Sequence, residues 1–178
     1  MFPKCRSLLF IFSVLLYRFG SVSASSEIEW VPLDGLSEPL KLEMSHMRIA
    51  RCIPDKSDIE LPIYPDATVI SVTWGKVAPQ CLRRDGWEDL GAIVFASRTD
   101  KNSVAEWYAS ELPEYFRYSG AVGTILIKNE VDNFLWERDY AKYSNITITL
   151  PSDEFWDAGY RSFIELNRPK EETKLKGG

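Results

Sequence analysis

Apolar and polar positions alternate along several short stretches of this chain, and one stretch near its middle repeats instead at helical spacing. Thr68 to Trp74 sets Ile70, Val72 and Trp74 on one face and Val69, Ser71 and Thr73 on the other. Asn145 to Leu150 sets Ile146, Ile148 and Leu150 against Thr147 and Thr149. Period two marks a strand, because successive side chains leave opposite faces. Gly91 to Ser97, Gly123 to Lys128, Phe134 to Tyr140 and Tyr160 to Leu166 are also predicted strands, rich in β-branched and aromatic residues and separated by Asn, Asp, Ser and Gly. Leu40, Leu42 and Met44 alternate with Lys41 and Glu43, which predicts one more strand with a bend near His46.

The helical spacing belongs to Val104, Trp107, Tyr108 and Leu112, at i, i+3, i+4 and i+8. Ser103-Val104-Ala105-Glu106 has the form of a capping box at its start, and Pro113 ends the pattern. Leu61 to Ala67 holds two prolines and suits a sheet edge better than a central strand. Strands, a helix, then more strands predict an α+β fold: an antiparallel sheet with one main helix packed on one face, preceded by an extended N-terminal arm.

The segment Pro62-Ile63-Tyr64-Pro65-Asp66-Ala67, followed after a strand pair by Val104-Ala105-Glu106-Trp107-Tyr108 and Leu112-Pro113, resembles a pattern in small exported bacterial proteins of unassigned function. In those, a P-x-Y-P-x-A opening leads to a strand and then to a V-x-x-W/F-Y helix. The resemblance spans residues 61–113 and implies a bacterial envelope setting without implying an activity. Asp66 stands where glycine is usual, and the long insertion around Cys81 departs from a short hairpin.

The N-terminus points the same way. Lys4 and Arg6 precede the apolar run Leu8 to Tyr17, and Val22-Ser23-Ala24 has the small residues that signal peptidase accepts. A run of about ten residues falls short of the roughly twenty that span a bilayer, so residues 1–24 are predicted to be a cleavable signal with no membrane anchor left after cleavage. The remaining organisation is an arm over 25–60, an α+β domain over 61–168 and a polar, disordered tail over 169–178. Periplasmic or secreted localisation follows.

Export changes the charge and the cysteines. The chain carries a net charge of −5, and the signal segment holds three basic side chains and no acidic one, so its removal leaves −8. An acidic protein is a poor match for nucleic-acid phosphates or anionic head groups and a better one for a basic protein. Cys5 leaves with the signal, so Cys52 and Cys81 remain, and an oxidising compartment predicts that they are bonded. Closing a loop of about 30 residues would stabilise the fold by about 3.6 kcal/mol in the chain-entropy description.

Catalytic machinery is hard to find. His46 is the single histidine, no serine lies in a G-x-S-x-G context, and cysteines 29 residues apart without a second histidine make no zinc site. Neither a metal nor a cofactor is called for. Asp153, Glu154 and Asp157 cluster around Phe155 and Trp156 without the spacing of a calcium loop. Trp87, beside Glu88 and Asp89 in the long Gly75–Leu90 loop, has the same acidic-aromatic character. Such groups suit recognition of a basic protein, the aromatics supplying contact energy and the charges speeding encounter. Asn145-Ile146-Thr147 matches a glycosylation sequon, read here as chance because it opens a predicted strand.

The sequence therefore predicts a binding protein rather than an enzyme. Its partner surface is expected at Trp87, Glu88, Asp89, Asp153, Glu154, Trp156 and Asp157, and its most concrete role is as an immunity protein or inhibitor of a toxin or lytic enzyme. The alternatives are an envelope maintenance factor or small-ligand carrier, and, further off, a hydrolase using Asp153, Glu154 or Asp157 with His46.

Overall fold

The computed structural model describes residues 28–50, 53, 54, 56, 59, 61–74, 90–140 and 142–167. The signal segment, Cys52 and Cys81 with their expected disulfide, the loop bearing Trp87, Glu88 and Asp89, and the tail 169–178 all lie outside the described residues. Ten elements follow one another: α1 (Glu38–Ala50), β1 (Thr68–Trp74), β2 (Leu90–Ser97), α2 (Lys101–Glu111), β3 (Phe116–Ser119), β4 (Gly123–Ile127), α3 (Trp136–Asp139), β5 (Asn145–Thr149), α4 (Asp153–Asp157) and β6 (Ser162–Asn167). The fold is α+β, with one six-stranded sheet in the order β1-β2-β6-β5-β4-β3 and every neighbouring pair antiparallel.

The alternation read from the strands becomes two cross-sheet rows. Leu126, Ile146, Leu166, Ile93 and Val72 pair in register across five strands, and Thr124, Ile148, Ile164, Phe95 and Val69 form the next row. Side chains that share a face of a pleated sheet meet their cross-strand neighbours directly. Onto these rows α2 lays Val104, Ala105 and Tyr108, with Leu112 just beyond its end, and together they make the larger core. Trp107 lies half-buried at its margin and meets Tyr64 edge-on at 5.1 Å.

The other face carries the smaller core, where Met44 of α1, Phe155 of α4, Val31, Leu36 and Tyr160 cover Ile70 and Ala96. Ile70 reaches this face through a bulge. The register passes from Val69 opposite Phe95 to Ser71 opposite Val94, so one extra residue is accommodated and Val69 and Val72 both point at α2. The expected grouping of Ile70 with Val72 is thereby corrected.

Two predicted strands are helical. Leu40 to Met44 lies within α1, where Leu40, Met44 and Met47, at i, i+4 and i+7, face the smaller core while Leu42 is exposed. The bend expected near His46 is absent, since α1 continues through it, and the arm is not extended over this stretch. Phe134 to Tyr140 holds the single turn α3, closed by Asp139, whose carboxylate accepts from the Leu135 amide at 2.9 Å. The cap of α2 also differs from expectation. Asp100 takes the N-cap and accepts from the amides of Asn102 and Ser103 at 3.0 and 3.1 Å, while Glu106 pairs with Arg117 at 2.6 Å. Strand β3 was not predicted.

Candidate functional site

Helix α4 carries the described part of the expected partner surface, and its shape follows from its last residues. The Tyr160 amide donates to the Phe155 carbonyl at 3.0 Å and the Gly159 amide to the Trp156 carbonyl at 3.0 Å. Gly159 has φ +92°, the left-handed conformation that glycine adopts without steric cost. These are the two bonds of a Schellman ending, and its usual hydrophobic contact is the Phe155–Tyr160 ring pair at 5.7 Å. One short turn of helix is thus closed by its own carbonyls.

The turn divides its two aromatics. Phe155 is 4% exposed and packs edge-on against Phe163 at 5.0 Å, whereas Trp156 is 45% exposed. Asp153, Glu154 and Asp157 are all exposed on the same turn. Leu150, just ahead of it, is exposed as well. The aromatics therefore do not behave alike: Phe155 folds back on the core, and Trp156 is offered to solvent.

Two arginines that the sequence reading overlooked complete the patch. The Arg161 guanidinium lies 4.5 Å from the Trp156 ring centre and donates to the carbonyls of Trp156 and Tyr160 at 2.9 and 2.7 Å. Arg98 lies 5.0 Å from the Tyr160 ring centre. Cation–π stacking of this kind fixes ring orientation and sets positive charge beside the three carboxylates, so the surface is acidic with a cationic rim. Arg161 follows the aromatic cluster directly in the chain, which was the available signal.

The loop bearing Trp87 cannot be joined to this patch on the described strands. Helix α4 lies where Ser97 and Ser162 pair, at one end of β2 and β6, whereas Trp74 and Leu90, which bound the connection 75–89, pair at the other end of β1 and β2.

A second polar group lies on the sheet face opposite α2. The Tyr140 hydroxyl donates to the Glu165 carboxylate at 2.6 Å, and burial, with the nearby carboxylate, pushes the Tyr140 phenol above its ordinary range. Asn145 spends its amide on the carbonyls of Tyr140 and Tyr143 at 2.8 and 2.9 Å, and it is fully buried. The sequon at Asn145 is therefore no accessible glycan acceptor. Buried Asp139 accepts from Arg138 and Lys142, and the hydrogen bond from Arg138 holds its carboxyl well below the usual range. These contacts satisfy one another and act as structure. His46 is exposed on α1, and among the described residues no group of three or more His, Cys, Asp or Glu side chains could hold a metal ion. Among the described residues, too, no helix is long and apolar enough to cross a membrane.

Set beside family models, curated proteins and solved structures, the chain matches none of them.

Proposed function

We propose that this is an exported acidic module, periplasmic or secreted, that binds a basic protein through α4, most concretely as an immunity protein or inhibitor of a toxin or lytic enzyme. The observation that carries the reading is the division between Phe155 and Trp156. A tryptophan 45% exposed on a turn locked by a buried phenylalanine is already oriented, so binding orders little that was free. Large aromatics in such positions supply much of the energy of protein interfaces. Asp153, Glu154 and Asp157 around it would steer a basic surface, and the charge of −8 expected after export acts in the same direction. Recognition rests on α4 and leaves Trp87, Glu88 and Asp89 as a separate expected contact.

The test is capture of a partner from the native envelope extract on immobilised protein, followed by the same capture with a Trp156→Ala, Asp157→Ala double variant. The retained partner should be basic, and the purified protein should block its lytic or toxic activity while the double variant does not. Equal inhibition by the double variant would contradict the proposal.

A further inference from the structure

The two edges of the sheet are treated differently. Along β1 the chain covers its own edge: Val69 donates to the Glu29 carbonyl at 2.7 Å and Val31 donates to the Val69 carbonyl at 2.8 Å, so residues 29–31 run beside it. Along β3, the other outermost strand, no described segment is paired. We infer that the outer side of β3 takes an extended, basic segment of the partner protein as a further antiparallel or parallel strand. The inference rests on the reading of a basic protein partner and adds a second place where that partner is held.

Hydrogen-bond parity shows which groups await it. The Gly120 amide donates to the Gly123 carbonyl at 2.9 Å, which makes these two a bonded pair at the hairpin end. Bonded and non-bonded pairs alternate along antiparallel strands, so Tyr118–Ile125 and Phe116–Ile127 bond inward while Arg117 and Ser119 direct their N–H and C=O groups outward. Ser119 Oγ lies 3.3 Å from Thr124 Oγ1, as the closer side-chain approach of a non-bonded pair requires.

The usual protections of a free edge are missing. Proline does not occur in Phe116–Ser119, and the β3–β4 register carries no bulge. Arg117, the one charge on the strand, is turned aside to Glu106 at 2.6 Å. Apolar surface gathers nearby instead. Phe116 is 41% exposed, Val122 in the hairpin turn 58%, and Leu135, next to the Phe134 ring stacked on Tyr118 at 4.7 Å, 53%.

Charge selects the occupant. Glu111, Glu114, Glu130, Asp132 and Glu137 are exposed on the segments that flank β3, against Lys128, Arg117 and Arg138, the last two paired with Glu106 and Asp139. A second copy of this chain would bring five like carboxylates against their images, whereas a lysine- or arginine-rich strand would complement them. Strand addition supplies backbone bonds, and the flanking charges select the sequence.

Amide hydrogen exchange of the purified protein tests this, with a synthetic ten-residue peptide alternating Lys and Val and a Glu–Val counterpart as probes. The basic peptide should slow exchange at Arg117 and Ser119 by more than about tenfold, because both amides gain acceptors, and the acidic peptide should not. Ser119→Pro removes an outward donor while sparing the inward bonds, and should abolish the protection. Phe116→Lys leaves the backbone unchanged and should weaken the peptide by about tenfold, or about 1.4 kcal/mol. Unchanged exchange at Arg117 and Ser119, or protection that rises with protein concentration without peptide, would overturn the inference. Capture that is lost with Trp156→Ala but keeps its full strength with Ser119→Pro would overturn strand addition and leave the proposed function standing.

Discussion

Phe155 and Trp156 are neighbours in the chain and face opposite environments: one ring lies in the core between Tyr160 and Phe163, and the other stands in solvent under the Arg161 guanidinium. Their separation predicts a separation of effects. Phe155→Ala opens a cavity in the smaller core and should cost about 3–5 kcal/mol of stability, read as a lowered denaturant midpoint. Trp156→Ala loses only its stacking with Arg161, and should cost about 0.5–1 kcal/mol.

Gly123 predicts a steric failure. A Cβ there would lie 2.2 Å from the Ile148 carbonyl oxygen, a backbone atom that cannot turn aside. Gly123→Ala should therefore push β4 from β5 and destabilise the protein by about 1–3 kcal/mol or more, measurable as a fall in Tm together with faster exchange of the β4 amides.

Ser97 predicts a polar failure. Its buried hydroxyl donates to Asp66 at 2.5 Å and accepts from the Thr99 amide at 3.0 Å, and Asp66 also accepts from the Arg98 amide at 3.2 Å. Ser97→Ala should cost about 1–3 kcal/mol in chemical denaturation, since both partners lose a bond. The same contacts explain why an aspartate serves at position 66, where the resembling exported proteins have glycine: its carboxylate ties the start of β1 to the end of β2.

Asp139 predicts a pH dependence. Its carboxyl is held below the ordinary range in the folded protein, chiefly by the hydrogen bond from Arg138, so the unfolded chain takes up the proton first as pH falls. The stability it contributes is complete above about pH 4, the ordinary carboxylate value, and drains away as the pH falls toward the lowered folded value. Asp139→Asn should lower Tm at pH 7, and the gap to the unaltered protein should narrow as the pH is taken from 5 toward 2 in thermal melts. A gap that stayed constant would exclude this carboxylate as the source.

The strands were legible where one face was buried along their whole length, as in β5, whose Ile146 and Ile148 alternate against Thr147 and Thr149. Helix α1 was not, because Leu40 and Met44 satisfy both a period of two and a spacing of four. Leu42 decided the wrong way, and only its exposure in the fold resolves the ambiguity. The Phe134–Tyr140 stretch misled for a different reason: its aromatics favour strands by packing, and here they pack on one another, Trp136 stacking with Tyr140 at 6.3 Å. β3 is four residues long and too short to display a period. At the candidate site, residue types marked Asp153 to Asp157 correctly as one group, but the outward turn of Trp156 depends on the bonds around Gly159, and the role of Arg161 on a stacking distance. Neither is a property of composition.

The most direct measurement is the dissociation constant of the captured basic partner for the unaltered protein and for Trp156→Ala, taken with the Tm of each. The account predicts binding weakened more than about tenfold, a loss above 1.4 kcal/mol, with Tm shifted by no more than a few degrees. An unchanged dissociation constant would contradict it, as would an extract from which the immobilised protein retains no basic partner.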